Sequence, residues 1–115
     1  MSKSVLNKII KFTELAGRKV SLDYDGTLST AEGKKLAQDL IGQGDVVYVI
    51  SARDSKEGMM GTALYLGIPA DRVYATGSNE KKVEKIKQLG ISLHYDNNRD
   101  VINALERAGL HGKLF

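Results

Sequence analysis

Short runs of β-branched and apolar residues alternate along this chain with segments whose apolar residues recur at helical spacing. The clearest strand signal is Val46-Val47-Tyr48-Val49-Ile50, a nearly continuous apolar run typical of strands that helices cover on both faces. Such strands belong to parallel sheets, and parallel neighbours are joined by crossover connections that are usually helical. The alternation therefore predicts a small, doubly wound, Rossmann-like α/β domain with a parallel sheet flanked by helices.

The same alternation predicts the remaining elements. Besides this run, the predicted strands are Lys19–Asp23, Arg72–Ala75 and Ile91–Tyr95, with Leu110–Phe115 as an edge strand or a tail. The predicted helices are Val5–Leu15, a segment opened by the capping-box pattern Ser29-Thr-Ala-Glu32, and segments near Lys56–Leu66, Ser78–Leu89 and Val101–Ala108. With 115 residues, we expect a single domain over 1–115 and no room for a second module.

Composition excludes several classes of protein and of site. Hydrophobic residues make up 42% and charged residues 27% of the chain, close to the averages of folded domains, so disorder, fibrous repeats and membrane spans are not expected. The net charge of +3 is too small to indicate a nucleic-acid-binding surface. Without cysteine, a metal would be held by oxygen ligands or histidines. Polar residues interrupt the apolar ones at the N-terminus, unlike a signal peptide, and we expect a cytoplasmic protein.

Polar residues follow the predicted strands at their carboxyl ends, the edge where open α/β sheets bind ligands. The segments are Asp23-Tyr24-Asp25-Gly26-Thr27, Ser51-Ala52-Arg53 and Asp96-Asn97-Asn98-Arg99-Asp100, with Lys82 near the start of the helix after the third strand. Several carboxylates on one edge repel each other unless a cation neutralises them, and Mg²⁺ prefers oxygen ligands and often shares them with a substrate phosphate. A serine hydroxyl, backbone amides and a lysine can hold phosphate oxygens. The residues thus predict a site for Mg²⁺ and a phosphoryl group.

These segments resemble, in the same order, the motifs of the haloacid dehalogenase superfamily of phosphotransferases and phosphatases. The matching segments are Asp23-Tyr24-Asp25-Gly26-Thr27-Leu28, Tyr48-Val49-Ile50-Ser51-Ala52-Arg53, Lys82-Val83-Glu84-Lys85-Ile86-Lys87-Gln88-Leu89-Gly90, and His94-Tyr95-Asp96 followed by Asp100. The resemblance covers about Val20 to Ala108. The first motif is specific, whereas the second and third are degenerate and gain weight from their order and strand context.

The resemblance implies a role for each matching residue. Asp23 would be the nucleophile that forms an aspartyl-phosphate, and Asp25 the general acid and base. The implied phosphate-binding residues are Gly26, Ser51, Ala52, Arg53 and Lys82, and the implied magnesium ligands are Asp23, Asp25 through its backbone carbonyl, and Asp96. Relatives that pump ions or cleave carbon–halogen bonds carry other residues at the position of Asp25. Asp25 therefore favours a phosphatase or a phosphomutase, and we expect a magnesium-dependent phosphatase.

Two departures from the family pattern bear on the substrate. Predicted helices and strands fill the intervals between Asp25, Ser51 and Lys82, which leaves no room for a cap domain. A helix also begins where most relatives carry a hairpin-like flap. An open site suits an exposed phosphate on a nucleotide, a polynucleotide end or a phosphoprotein, unless a partner subunit supplies the cover. Ser51-Ala52-Arg53 also resembles, faintly, the second motif of polynucleotide 3′-phosphatases.

Several of these residues also have plain structural interpretations. Ser51 is compatible with a helix cap, Arg53 with a surface residue, and Asp100 with stabilisation of a helix N-terminus. Helix register favours Lys82 over Lys81 as the phosphate-binding lysine, although both belong to a lysine-rich helix face. His94 alternates with apolar residues, which favours a packed, hydrogen-bonded histidine over a ligand.

Two other functions remain open at this point. One is a receiver-like phosphoacceptor domain, a small doubly wound fold that also combines acids, a hydroxyl and a lysine. Receivers place the lysine after the last strand, whereas Lys82 precedes the last acidic segment. The other is a binding module that kept the fold and lost turnover. No membrane partner is expected, and nucleic acid only as a substrate.

Overall fold

The computed structural model describes residues 17–115, and the helix predicted at Val5–Leu15 lies outside this range. The described residues form a five-stranded parallel sheet with the strand order β3-β2-β1-β4-β5. The strands are β1 (Lys19–Leu22), β2 (Val46–Ser51), β3 (Val73–Ala75), β4 (Leu93–Asp96) and β5 (Gly112–Leu114). The helices are α1 (Ala31–Gly42), α2 (Met60–Tyr65), α3 (Asn79–Leu89) and α4 (Arg99–Arg107), with shorter turns at Tyr24–Leu28 and Ala70–Arg72. The predicted α/β class is confirmed.

Helices cover the sheet on both faces because alternate strand residues point to opposite sides. Val47 and Val49 of β2 belong to a core that includes residues of α1 and Ala63 of α2. Ile50, on the same strand, belongs to a second core with residues of α3 and Leu105 of α4. The near-continuous apolar run of β2 therefore supplies both cores, as the sequence predicts.

The strand order reverses at β1, and this reversal determines where a ligand can bind. The chain builds β1, β2 and β3 outward in one direction and then crosses back to place β4 against the other side of β1. Val20, Ser21 and Leu22 of β1 pair with β4 as well as with β2. In open α/β sheets, the crevice at such a switch point opens at the carboxyl ends of the strands.

The start of α1 differs by one residue from the predicted capping box at Ser29. Thr30 is the cap: its hydroxyl accepts a hydrogen bond from Gly33 N (2.9 Å) and donates one to the Thr27 carbonyl (2.6 Å). Ser29 instead accepts a hydrogen bond from Gly26 N (3.1 Å) and belongs to the preceding turn. Gly33 packs so closely on Thr27 that a Cβ atom would overlap its carbonyl oxygen. This close approach fixes where the helix begins.

Two other predicted elements take definite bounds in the structure. The helix expected near Lys56–Leu66 is shorter, because Ser55 Oγ accepts a hydrogen bond from Glu57 N (3.1 Å) and competes with helical bonding there. At the C-terminus, β5 pairs with β4, so the edge-strand alternative is the correct one. None of the helices from residue 17 onward is long and apolar enough to cross a membrane.

Candidate active site at the carboxyl edge of the sheet

A cavity of about 490 Å³ opens at the carboxyl ends of β1, β2 and β4, beside the switch point. Its lining residues are Asp23, Asp25, Ser51, Ala52, Arg53, Asn79, Lys82, Asp96, Asn97, Asn98 and Arg99. Of the residues to which the resemblance gives a catalytic, phosphate-binding or metal-binding role, all but Gly26 line this cavity. Segments far apart in sequence therefore meet in one place, and the volume is within the ordinary range of ligand pockets.

The turn after β1 places the first two acids at the cavity. Leu28 N donates to the Asp23 carbonyl (3.1 Å) and Ser29 N to the Tyr24 carbonyl (2.9 Å), which closes a π-type turn. Gly26 lies inside it with a φ of 72°, and a Cβ atom there would overlap the side chain of Asn97. Gly26 thus serves the site through its backbone, because it permits both the left-handed turn and the approach of Asn97.

Lys82 bridges two carboxylates at the base of the cavity. Its Nζ lies 3.0 Å from Asp23 Oδ1 and 2.9 Å from Asp96 Oδ2, and the residue is 2% exposed. The neighbouring Lys81 is exposed and does not line the cavity. Of the two lysines that the sequence leaves open, Lys82 is therefore the one brought to the site.

The two acids that share Lys82 differ in their electrostatics. Burial raises the pKa of Asp23 above its usual range, and the attraction of Lys82 offsets only part of this effect. Burial also acts to raise the pKa of Asp96, but the hydrogen bond with His94 and the charge of Lys82 outweigh it, so the pKa is lowered. Asp23 is thus the less stabilised carboxylate, and it is the one to which added positive charge in the cavity would matter most.

Asp96 is held by the protein on both of its oxygens. Asn98 N donates to Oδ1 (2.9 Å), while Lys82 and His94 contact Oδ2 at 2.9 Å each. Its side chain is 0% exposed. Asp96 stays a candidate magnesium ligand, because Oδ1 accepts a single hydrogen bond and keeps a second lone pair.

Asn97, which the sequence reasoning did not select, contacts the first two acids of the site. With its amide nitrogen turned toward them, the side chain donates to Asp23 Oδ2 (3.2 Å) and to the Asp25 carbonyl (3.1 Å). Rotation of the amide by 180° would bring its oxygen to the same place, as a cation ligand requires. The sequence signal for this residue is an amide placed directly after the acid that ends β4.

Four groups at this cavity are candidates for holding a divalent cation. Asp23, the Asp25 carbonyl and Asp96 are the ligands that the sequence proposes, and the Asn97 side chain lies 3.2 Å from Asp23 Oδ2 and 3.1 Å from the Asp25 carbonyl oxygen. Oxygen ligands of this kind suit Mg²⁺. Among residues 17–115, no three His, Asp or Glu side chains are grouped as a metal site.

Ser51 and Arg53 also line the cavity. Ser51 is buried at the end of β2, and its hydroxyl accepts a hydrogen bond from Arg53 N (3.1 Å). Arg53 forms a two-point ion pair with Asp25, with Nε 2.8 Å from Oδ2 and Nη2 2.7 Å from Oδ1. This hydrogen-bonded pair lowers the pKa of Asp25 below its usual range. The guanidinium also lies over the Tyr24 ring, 4.9 Å from its centroid.

Two further predicted residues lie outside the cavity. His94 is fully buried and hydrogen-bonded to Ser21 and Asp96, as expected of a packed histidine. Asp100 lies in the first turn of α4, where its backbone N–H donates to the capping Asn98 side chain (2.9 Å).

Comparison with known proteins does not identify a relative, since neither a protein-family model nor a curated protein sequence matches the chain.

Proposed function

We propose that this chain is a magnesium-dependent phosphatase of the haloacid dehalogenase type, acting through an aspartyl-phosphate on Asp23. The observation that carries the proposal is the contact between Lys82 Nζ and Asp23 Oδ1 (3.0 Å) inside a cavity that Asp25 and Ser51 also line. A carboxylate attacks an anionic phosphoryl group only when positive charge offsets the repulsion between them. Lys82 lies where it can provide part of that charge.

The charges that line the cavity support a cation requirement. Three carboxylates, Asp23, Asp25 and Asp96, are matched by three cationic side chains, Arg53, Lys82 and Arg99. A phosphate dianion therefore adds negative charge that the protein alone does not offset. Mg²⁺ held by Asp23, the Asp25 carbonyl and Asp96, with the Asn97 amide as a further candidate ligand, would supply the missing charge. Asp96 also holds Lys82 through Oδ2.

The chemistry follows from the two acids of the first turn. A carboxylate oxygen of Asp23 forms a bond to phosphorus while the bond from phosphorus to the leaving oxygen breaks. Asp25 gives its proton to that leaving oxygen. Asp25 then takes a proton from a water molecule, whose oxygen bonds to phosphorus while the bond to Asp23 breaks, and inorganic phosphate leaves. Lys82 and the Ser51 hydroxyl hold the phosphoryl oxygens during both steps.

The ion pair between Arg53 and Asp25 must break before these two chemical steps can take place. The two-point pair occupies both Asp25 oxygens, and the acid must be able to carry a proton. A guanidinium fork binds phosphate oxygens as well as it binds a carboxylate. An arriving phosphate would therefore compete with Asp25 for Arg53, and the release of Asp25 accompanies substrate binding.

The open entrance favours a substrate whose phosphate projects from a larger molecule. Among the described residues, only two residues lie between the turn Tyr24–Leu28 and the start of α1, so the chain forms no flap there. An exposed phosphate on a nucleotide, a polynucleotide end or a phosphoprotein reaches such a site without a cover. A small metabolite would leave water free to enter.

Hydrolysis of an aryl phosphate in Mg²⁺ and in EDTA, with Asp23→Asn in parallel, tests the proposal. We expect turnover that requires Mg²⁺ and is lost in Asp23→Asn. The matched control is Asp39→Asn, since Asp39 is an exposed acid of α1 whose one ion pair within residues 17–115 is with Lys35 on the helix surface. Full activity of Asp23→Asn would contradict the proposal.

A wild type that leaves the aryl ester intact would be tested on a 3′-phosphorylated oligonucleotide and a phosphopeptide. Beryllium fluoride, which mimics the phosphoryl group on an aspartate, reports on the site without turnover. Magnesium-dependent binding of this mimic without hydrolysis of any ester would favour the binding-module alternative. Absence of both binding and hydrolysis would overturn the phosphatase proposal.

A further inference from the structure

Beneath the cavity, a row of buried polar side chains continues from Lys82 into the middle of the sheet. Ser21 on β1 and His94 on β4 are paired in register, and Ser21 Oγ lies 2.6 Å from His94 Nδ1. His94 Nε2 lies 2.9 Å from Asp96 Oδ2, the oxygen that Lys82 also contacts. Ser21 and His94 are both 0% exposed, so no water replaces these contacts.

Hydrogen-bonding capacity fixes the direction of this row. An ionised carboxylate only accepts, so His94 must donate from Nε2 to Asp96. A neutral imidazole that is protonated at Nε2 has an unprotonated Nδ1, which accepts from the Ser21 hydroxyl. Each group therefore has one compatible role, and the imidazole ring is held on both sides.

We propose that Ser21 and His94 are positioning residues for Lys82, and this inference rests on the phosphatase function proposed above. Lys82 lies between Asp23 and Asp96, and its place depends on where Asp96 Oδ2 is held. His94 holds that oxygen from the side opposite the cavity, and Ser21 holds His94. The row thus fixes the lysine from behind while its ammonium faces the reacting carboxylate of Asp23.

The cost of this arrangement supports a role beyond packing. Replacing buried, hydrogen-bonded polar groups by apolar residues of similar size is often neutral or stabilising. The cores on either side of the sheet are built from apolar residues, as at Val20, Leu22 and Ile50. Displacing a phosphate-binding group by about 1 Å can lower a rate by about 100-fold, so a rigid support behind Lys82 has a direct effect on turnover.

A pair of histidine variants separates positioning from packing. His94→Gln keeps an N–H donor at the place of Nε2 and loses the contact to Ser21, whereas His94→Asn keeps a polar group near Nδ1 and loses the donor to Asp96. We expect His94→Asn to lower kcat about 10-fold to 100-fold with little change in KM, and His94→Gln to retain most of the activity. Ser21→Ala should give a smaller loss of kcat.

A core variant controls for loss of stability alone. Leu40 of α1 is buried in the core with Val20 and Leu22, on the face of the sheet opposite to that of Ser21 and His94. Leu40→Ala should lower the melting temperature at least as much as His94→Asn and leave kcat of the folded protein unchanged. Equal kcat in His94→Asn and the wild type, or an equal loss in Leu40→Ala, would overturn the positioning role.

NMR of the Lys82 ammonium tests the inference without any turnover. In the wild type the buried ammonium, held by two carboxylates, should exchange its protons with water slowly, and His94→Gln should preserve this. His94→Asn should speed the exchange enough to lose the signal. The same signal in all variants would overturn the positioning role whatever the activity. If proton exchange differs among the variants as expected but the wild type hydrolyses no ester, only the phosphatase proposal is overturned.

Discussion

Lys82 Nζ lies 3.0 Å from Asp23 Oδ1, although 59 residues separate the two in sequence. They meet because the chain crosses back over the sheet after β3 and brings the start of α3 above the end of β1. The same ammonium contacts Asp96 Oδ2 at 2.9 Å. One buried ammonium group therefore contacts two buried carboxylates. Loss of its positive charge should destabilise the fold, whereas loss of the negative charge of Asp23 should stabilise it.

Replacement of Lys82 should abolish activity and destabilise the fold. Lys82→Met leaves Asp23 and Asp96 facing each other without a cation, and breaking a buried ion pair costs about 3–5 kcal/mol of unfolding free energy. We expect at least about a 1000-fold loss of kcat, since the group that balances the phosphoryl charge is gone. Lys81→Met, on an exposed neighbour, should change neither. Phosphatase assays and urea unfolding of both variants give the comparison, and an active Lys82→Met would refute the role.

Removal of the charge of Asp23 should stabilise the protein at neutral pH. Burial raises the pKa of Asp23, so the folded state binds its proton more tightly than the unfolded state does. Stability from this group is present below its unfolded pKa and is lost as pH rises through its folded pKa. Asp23→Asn carries no charge at this position and does not lose stability in this way. Its unfolding free energy should therefore exceed that of the wild type at pH 7, and the difference between the two should become smaller in acid. Urea unfolding across pH checks this, and a less stable Asp23→Asn at pH 7 would contradict it.

Asn97 should determine the affinity for Mg²⁺. We expect Asn97→Ala to raise the Mg²⁺ concentration for half-maximal activity by about 10-fold or more, because an oxygen ligand is lost. Asn97→Asp, which adds a charge at the same place, should lower it. Asn103→Ala, an exposed amide of α4, is the control. The rise in melting temperature with added Mg²⁺ gives the same comparison without substrate. If Asn97→Ala responds to Mg²⁺ as the wild type does, the Asn97 amide is not a ligand of the metal.

The fold and most of the site were predictable for one physical reason. A strand buried on both faces reveals itself by a continuous apolar run, as in Val46–Ile50, and the carboxyl ends of parallel strands share one edge. These two features predict that Asp23, Ser51 and Asp96 lie together. Helix register also favoured Lys82 over the adjacent Lys81, which is exposed.

The remainder of the site depends on side-chain directions that spacing does not encode. The sequence locates Asp96 at the end of β4 but does not show that its oxygens are hydrogen-bonded to Asn98 N, Lys82 and His94. Nor does it show that the neighbouring Asn97 faces Asp23 and the Asp25 carbonyl. The cap at Thr30 was missed for a related reason, because the close contact between Gly33 and the Thr27 carbonyl is a tertiary feature.

Acid should weaken the fold through Asp45, at the start of β2. Its side chain is 0% exposed and accepts hydrogen bonds from Arg18 Nε (2.9 Å) and from Gln43 Nε2 (2.6 Å). These contacts, the Arg18 hydrogen bond foremost, lower the pKa of Asp45. Stability from such a group is present above the unfolded pKa and is lost as pH falls through the folded pKa. Asp45→Asn should therefore unfold more easily at pH 7 and lose less stability on acidification, which urea unfolding at several pH values measures.

Two glycines of α1 should respond to alanine in opposite directions. At Gly33 a Cβ atom would overlap the Thr27 carbonyl oxygen, so Gly33→Ala must displace either the helix or the turn that carries Asp23 and Asp25. We expect it to lower the unfolding free energy by about 2–4 kcal/mol, as overpacking against rigid backbone does, and to lower kcat. At Gly42 a Cβ atom meets nothing within 4 Å, so Gly42→Ala should raise stability by up to about 1 kcal/mol and leave kcat unchanged. Thermal unfolding and phosphatase assays of the pair decide the matter: if Gly33→Ala is as stable and as active as Gly42→Ala, the helix is not held against the turn in the way its contacts indicate.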